Sequence, residues 1–424
     1  MNQIEEVRNL TDIAREMELS RPHISLKEDT IIQNERLIIQ LNQEIRKSWI
    51  KKCCNRTAPI YKSPLWNTNV KDLQNYSYHY SYETLLNDEN DFADLLGYQI
   101  KNMTSKTFLF SSGMNAISNI LNCFSSLIKE KLIIQASAGY FETKYLLKIL
   151  KSMGNEIYTD FTNNVNANLF YFEPIKYDAS LSTTDLDKLI SRVNQSTHSL
   201  KFIIMDSTMH NKTKIFDELK NKIYNLDNVV LCDIRSGLKL DQEGLELSNL
   251  GICSIFVSKN NMNLFQIVKR YIEHYKNLTG ANLSFYSLVL SHYFKGKIKS
   301  VEYTQKVKKQ IMWASKAITS DSSRIIKRLI WRNKRIANEN LIAPFLFIEL
   351  FSQEEEEYLN YIHNFQKFMK KRGTPIDYRN SWGFRMPSVE YFNDIFTRKK
   401  YIKFYPGSFQ GLTAVNAIYY LNRI

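Results

Sequence analysis

The fold is decided by three short apolar runs, at residues 202–205 (FIIM), 229–232 (VVLC) and 253–257 (CSIFV). Further runs of the same kind lie at residues 107–110, 131–135 and 169–172. Segments with helical periodicity lie between the runs, at residues 115–129, 143–153, 184–194 and 216–225. Apolar runs that alternate with helices are typical of a mostly parallel sheet with crossover helices. The sequence therefore predicts an α/β fold, followed by a smaller α+β domain at the carboxyl end.

The composition indicates a folded protein. The 424 residues are 44% hydrophobic and 13% aromatic, which is unlike a disordered chain. The net charge of +14 would suit an anionic ligand or nucleic acid, but the charge is dispersed and no nucleic-acid-reading motif accompanies it, so nucleic acid is not the expected partner. The five cysteines form no Cys-x-x-Cys pair, so we expect neither a disulfide framework nor a metal site. No apolar run is long enough to span a bilayer, and we expect a cytoplasmic location.

Polar residues follow several of the predicted strands. They are the turn Ser111-Ser112-Gly113, Asp206, Asp233 and the pair Ser258 and Lys259. Ligands of such folds bind at the carboxyl ends of the parallel strands, so we expect Asp233 and Lys259 to lie together at one edge of the sheet. The turn precedes a predicted helix, whose first N–H groups and dipole can hold a phosphate.

Four segments resemble the pyridoxal 5'-phosphate (PLP) enzymes of cysteine and methionine metabolism, the transsulfuration family. Residues 58–66 (APIYKSPLW) resemble an early Pro-Ile-Tyr segment, and residues 111–117 (SSGMNAI) closely match the family's phosphate loop. Residues 229–233 (VVLCD) resemble its strand-Asp motif, and residues 256–259 (FVSK) resemble its Ser-x-Thr-Lys segment with the first serine lost. The resemblance implies a three-layer, aspartate-aminotransferase-like fold (fold type I) with PLP as the cofactor.

The same resemblance implies roles for individual residues. Lys259 would form the Schiff base with PLP, and Asp233 would pair with its pyridine nitrogen. The phosphate would be held by Ser112, Gly113, Met114 and Ser258. Tyr140, in the turn at residues 139–141, would stack on the cofactor ring.

Two segments match the family less closely. Residues 205–211 (MDSTMHN) lie where the family has a Glu-Thr-Pro-x-Asn-Pro segment, so either His210 or Asn211 would contact the phenolic oxygen of the cofactor. Residues 78–83 (YHYSYE) lie where the family has a Tyr-x-Arg that reaches the neighbouring subunit's phosphate. Either a hydroxyl of Tyr80 or Tyr82 replaces that arginine, or the affinity for phosphate is lower.

The substrate's carboxylate has two candidate partners. The family's late arginine aligns with Lys403, in residues 402–407 (IKFYPG), although lysine lacks the guanidinium fork that binds a carboxylate with two hydrogen bonds. Arg385, in residues 381–387 (SWGFRMP), lies with Ser381 where the family's loop borders the substrate. A surface ion pair is the alternative role for Arg385.

The sequence thus predicts a PLP-dependent lyase or transferase that performs γ- or β-elimination or replacement on a sulfur-containing or O-activated amino acid, in specialised biosynthesis. The alternatives are an aminotransferase or decarboxylase, a non-catalytic subunit, or a DNA-binding regulator that reads DNA with residues 10–25 (LTDIAREMELSRPHIS). We expect a homodimer or homotetramer with shared active sites. The predicted organisation is a helical arm at residues 1–56, a large PLP-binding domain at 57–270 and a small domain at 271–424.

Overall fold

The computed structural model describes residues 3–17, 31–57, 70–72, 76–78, 92–128, 131–210, 215–284, 287, 300–318, 325–331 and 342–423. The strands are β1 (Val70–Asp72), β2 (Tyr76–Tyr78), β3 (Met103–Phe110), β4 (Ile133–Ser137), β5 (Glu156–Thr159), β6 (Leu169–Phe172), β7 (Lys201–Asp206), β8 (Val229–Ser236), β9 (Gly251–Ser258), β10 (Ile326–Ile330), β11 (Leu346–Leu350), β12 (Asp377–Tyr378), β13 (Ser388–Asp394) and β14 (Lys399–Tyr405). The helices are α1 (Gln3–Glu16), α2 (Ile31–Thr57), α3 (Gly113–Ile128), α4 (Phe141–Ser152), α5 (Leu186–Gln195), α6 (Ile215–Lys222), α7 (Met262–Leu278), α8 (Ser300–Ala317), α9 (Glu355–Lys371) and α10 (Leu412–Leu421).

A seven-stranded sheet forms the centre of the protein, in the order β3-β9-β8-β7-β6-β4-β5. Strands β5, β4, β6, β7 and β8 run parallel to one another, whereas β9 runs antiparallel to both β8 and β3. The carboxyl ends of the parallel strands therefore meet at one edge of the sheet, and the carboxyl end of β9 lies at the opposite edge. The prediction of an α/β fold with a mostly parallel sheet is confirmed.

The six strands and four helices predicted between residues 105 and 260 are all present, with bounds that differ by a few residues. The sequence gives no sign of β5, because its four residues (EIYT) are partly or fully exposed and form no continuous apolar run. Edge strands of this kind are short and polar, which is why an apolar pattern does not reveal them.

Helices cover both faces of this sheet, because its strands are apolar on both sides. Ile204 of β7 packs in one cluster with residues of α3, whereas the adjacent residue, Ile203, packs in a second cluster with residues of α5 and α6. Successive side chains of a strand point to opposite faces. This alternation determines which strand residues can reach a cavity on the α3 side.

A five-stranded sheet, in the order β10-β11-β14-β13-β12, lies in the carboxyl-terminal part. Its neighbouring strands are antiparallel except for β12 and β13. Phe347 and Phe404 of this sheet pack in one cluster with Val307 of α8 and Phe365 of α9. The mixture of helices and a largely antiparallel sheet is that of the expected α+β region, while the domain limits stay predictions.

The two amino-terminal helices, α1 and α2, pack against each other and against the rest of the chain. Leu10 and Ala14 belong to the first half of the segment considered as a DNA reader, residues 10–25, and both are buried in this packing. The remainder of that segment, residues 18–25, lies outside the described residues. The Glu35 carboxylate on α2 accepts the backbone N–H of Thr413 at 3.1 and 3.0 Å, which joins α2 to the start of α10.

Across the described ranges, none of the helices combines the length and the apolar composition that a membrane span requires. In the same residues, no group of His, Cys, Asp and Glu side chains has an arrangement suited to a metal ion.

Candidate active site

A cavity of about 510 Å³ lies at the carboxyl edge of the parallel strands. Each of three parallel strands contributes a residue at or just past its end, namely Glu173 after β6, Asp206 of β7 and Ser236 of β8. The start of α3 and residues 380–382, which connect β12 to β13, also line it. The position is the one at which open α/β sheets bind ligands.

Lys239 is the lysine that lines this cavity in the described part of the chain. It lies three residues after β8, and its Nζ is 4.9 Å from the centre of the Trp382 ring. Gly383 follows with φ +85°, and a Cβ there would lie 3.2 Å from the Cβ of Lys239, so this turn packs closely over the lysine. Burial lowers the pKa of Lys239 to about 8, with Asp206 opposing and Lys403 adding to the effect. A lysine of this pKa is partly neutral near physiological pH and can act as a nucleophile or base.

Two of the acidic residues that line this cavity, Asp206 and Glu173, interact with each other. Asp206 accepts hydrogen bonds from the backbone N–H of Thr208 at 2.9 Å and from the Tyr171 hydroxyl at 3.3 Å. Burial raises the pKa of Asp206, and burial together with the Asp206 charge raises the pKa of Glu173 to about 8. Because the two carboxylates disfavour each other's charge, a cation bound in the cavity near them would be stabilised.

The turn at residues 111–114 places the first N–H groups of α3 on the cavity. The Ser112 hydroxyl accepts the backbone N–H of Asn115 at 3.1 Å, which caps the helix. A Cβ on Gly113 would lie 3.1 Å from the Cβ of Ser236, so the helix start abuts the end of β8. Ser236 in turn donates its backbone N–H to the Thr208 hydroxyl at 3.0 Å. Helix N–H groups flanked by three hydroxyl residues form a suitable site for a phosphate.

Tyr140 lines the cavity, and Glu173 holds the backbone that carries it. The Glu173 carboxylate accepts the N–H groups of Gly139, Tyr140 and Tyr177 at 3.0, 2.9 and 3.1 Å. The rings of Tyr140 and Tyr177 meet edge to face with centroids 5.8 Å apart. Glu173 therefore joins the loop after β4 to the loop after β6 and orients both tyrosines.

The structure does not place Lys259 and Ser258 at this cavity. Because β9 is antiparallel, its carboxyl end lies at the opposite edge of the sheet, where Lys259 is exposed beside Asn102. Ser258 donates its hydroxyl to Asp227 at 2.6 Å, also at that edge. The prediction that Asp233 and Lys259 share an edge is wrong.

Asp233 is also absent from the cavity lining, because β8 continues three residues beyond it and its side chain points to the other face. The neighbouring residue Ile234 lines the cavity, which places Asp233 on the side of Met205. There the buried Asp233 carboxylate accepts a short hydrogen bond from Ser207 and lies 3.3 Å from Nη1 of Arg235. Its role is that of a core ion pair.

The remaining predicted residues divide into three groups. Ser112, Gly113, Met114, Tyr140 and Ser381 line the cavity, and their contacts with a cofactor or substrate stay predictions. His210 and Lys403 do not line it. Burial lowers the pKa of His210 to about 3. Lys403 is buried in an ion pair with Glu390, and its Nζ donates a hydrogen bond to the Tyr177 hydroxyl at 2.9 Å. Asn211, Tyr80 and Tyr82 lie outside the described residues.

Arg385 is fully buried and forms ion pairs away from the cavity. It contacts Glu6 of α1, lies 3.5 Å from Glu243 and has its guanidinium carbon 5.5 Å from the centre of the Tyr303 ring. Both the predicted contact with substrate and the alternative of a surface ion pair are therefore wrong. Arg385 joins the amino-terminal helix to the rest of the chain.

Replacing Arg385 with alanine is expected to lower the free energy of unfolding by about 3–5 kcal/mol, because it leaves the buried Glu6 without a partner. Urea unfolding would measure this loss. Arg379→Ala is the matched control: its side chain is one-third exposed and pairs with Glu246 and Asp377, so the expected loss is below about 1 kcal/mol. An Arg385 variant of unchanged stability would contradict the assignment.

Two further segments of the sequence indicate this site, although the predicted residues do not include them. Residues 236–239 (SGLK) match the serine and the lysine of the family's Ser-x-Thr-Lys segment, with Leu238 in place of the threonine. Glu173 and Pro174 follow a strand, like the family's Glu-Thr-Pro segment. Each of these two segments lies one strand earlier in the chain than the segment used in the predictions. The aspartate at the end of the strand before that of Asp233 is Asp206.

No protein-family model and no curated protein matches the chain. Among solved structures, it is similar to CalE6, a methionine gamma lyase from Micromonospora echinospora, with a TM-score of 0.51 and 11% identity over 75% of this chain and 81% of that one. It is also similar to a protein described as an aromatic amino acid beta-eliminating lyase/threonine aldolase, from Exiguobacterium sp., with a TM-score of 0.51 and 12% identity over 88% and 93%. These likenesses show a shared fold.

Proposed function

We propose that the chain is a PLP-dependent enzyme that acts on an amino acid. The observation that supports this most directly is the convergence of Lys239, Asp206 and the turn at residues 112–114 on one cavity. PLP requires an amine for its aldehyde, a carboxylate for its ring nitrogen and a set of donors for its phosphate. The three groups meet those requirements, and Tyr140 supplies an aromatic ring beside them.

When bound, PLP withdraws electrons from the carbon next to a substrate's amino group and so makes that carbon more acidic. Lys239 Nζ, partly neutral because its pKa is about 8, can accept the proton from this carbon and return a proton to a neighbouring one. The Asp206 carboxylate, oriented by Thr208 and Tyr171, would keep the ring nitrogen protonated. Glu173 would hold Tyr140 over the site through its backbone.

The proposed reaction is γ- or β-elimination or replacement on a sulfur-containing or O-activated amino acid. It is supported by the match of residues 111–117 to the transsulfuration phosphate loop. Transamination and decarboxylation would use the same lysine and carboxylate. Identification of the products from a panel of amino acids separates these reactions.

Borohydride reduction after incubation with PLP, followed by peptide mapping, tests the cofactor assignment. The label is expected on the peptide that contains Lys239, while the Lys259 peptide stays unlabelled. Because only the neutral amine attacks the aldehyde, the labelled fraction after a short incubation should rise as the pH is raised through about 8. A label on Lys259 alone, or spread evenly over exposed lysines, would overturn the proposal.

A further inference from the structure

A second cavity lies next to the candidate active site, between the seven-stranded and five-stranded sheets, and has a volume of about 550 Å³. The two cavities share α4 and β13: Phe141 and Glu390 line the first, whereas Lys144 and Asp394 line the second. An occupant of the second cavity would therefore contact elements that also shape the first. The apolar part of its lining includes Ala136, Ala138, Leu147, Ile157 and Phe396.

The lining of the second cavity has an excess of positive charge. Its cations are Lys144, Lys148, Lys151, Lys176, Arg328 and Lys399, and its carboxylates are Asp160, Asp178 and Asp394. Lys176 pairs with Asp160 at 3.3 Å, and Arg328 pairs with Glu349. Asp178 and Asp394 accept backbone N–H groups of nearby turns. Among the described residues, the other four lysines form no ion pair.

Two of these four lysines are held close together. The Nζ atoms of Lys144 and Lys148 lie 4.4 and 4.9 Å from the centre of the same Phe396 ring. The lysines are one turn apart on α4, where like charges repel each other. The Phe396 ring compensates part of this repulsion through cation–π attraction. An anion in the cavity would compensate more of it, since no carboxylate among the described residues pairs with either lysine.

The type of cation favours one class of anion. Carboxylates are bound best by the two-pronged guanidinium of arginine, and the only arginine in the described lining, Arg328, is already paired with Glu349. Lysine ammonium groups are compact charges that bind phosphate oxygens well. The unpaired charges around the cavity are all of this second kind.

We propose that the second cavity binds a small phosphorylated molecule, whose phosphate oxygens contact Lys144 and Lys148. The proposal does not depend on the proposed function, because none of these residues lines the candidate active site. The apolar lining would accommodate an organic part of the ligand.

The test is isothermal titration calorimetry at constant ionic strength, with inorganic pyrophosphate and ADP as probes and citrate as a carboxylate comparison. The Lys144→Gln/Lys148→Gln variant is expected to raise the dissociation constants of both phosphate probes at least about tenfold, the effect of losing one or more charge-assisted hydrogen bonds. Tighter binding of ADP than of pyrophosphate would support an organic phosphate as the ligand.

Lys370→Gln/Lys371→Gln is the matched control, because it removes the same charge from two exposed lysines at the end of α9. It should bind the probes as the unaltered protein does. Equal weakening in both variants would show a general charge effect and overturn the proposal. Failure of both phosphate probes to bind would overturn it too, and citrate binding as tight as pyrophosphate binding would overturn the assignment to phosphate.

Discussion

Replacement of Lys239 by alanine is expected to abolish the covalent capture of PLP and to slow proton exchange at the substrate's α-carbon by about 10²- to 10⁴-fold. Lys239 is the lysine on the described lining of the candidate active site, and burial keeps its pKa near 8, so its loss removes both the attachment point and the base. The measurements are borohydride trapping and exchange of the α-proton of a panel of amino acids in D₂O, followed by NMR. Exchange is the readout because elimination, replacement and transamination all require this step.

Lys259→Ala is the matched control. Lys259 is exposed at the opposite edge of the sheet, and its backbone N–H, the group that contacts Asn102 at 3.3 Å, is kept in the alanine variant. Capture of PLP and proton exchange should both stay unchanged, and the free energy of unfolding should change by less than about 0.5 kcal/mol. The reverse result, loss of capture in Lys259→Ala and retention in Lys239→Ala, would show that the cavity is not the active site.

The comparison of Lys259 with Lys239 shows what the sequence could predict and what it could not. Apolar runs identify strands, because burial on both faces leaves a continuous pattern. The pattern is the same whichever way a strand runs. β9 is antiparallel, and this single reversal moves the residue after it to the far edge, so a rule that holds for parallel strands predicted the wrong edge for Lys259.

Positions set by neighbouring residues can be predicted from the local sequence. The turn at residues 111–114 and Tyr140 reach the cavity because each lies directly between a strand and the helix that follows. Arg385 is the opposite case. It pairs with Glu6, 379 positions away in the chain, and no local pattern around Arg385 indicates that partner. Its burial could be known only from the packing of α1 against the rest of the chain.

Asp206→Asn is expected to slow α-proton exchange by about 10²- to 10³-fold, the size typical of removing one preorganised electrostatic partner from an active site. An amide cannot hold a proton on a ring nitrogen as a carboxylate does. Lys239 is unchanged in this variant, so borohydride should still attach PLP to it. Covalent capture and proton removal should therefore separate, which an unfolded variant would not show.

The stability of Asp206→Asn strengthens this test. The Asp206 charge is one of the causes that raise the pKa of Glu173 to about 8, so its removal should lower that pKa and should not destabilise the fold. Asp233→Asn is the contrasting variant, because it weakens the buried ion pair between Asp233 and Arg235. Arg235 keeps its other partner, Asp241, at 3.1 Å. The free energy of unfolding should therefore fall by about 3 kcal/mol. Exchange per folded molecule should stay normal in Asp233→Asn. If that variant instead lost exchange while Asp206→Asn kept it, Asp233 would be the carboxylate that acts on the cofactor, and the cavity-facing side of β7 would have no catalytic role.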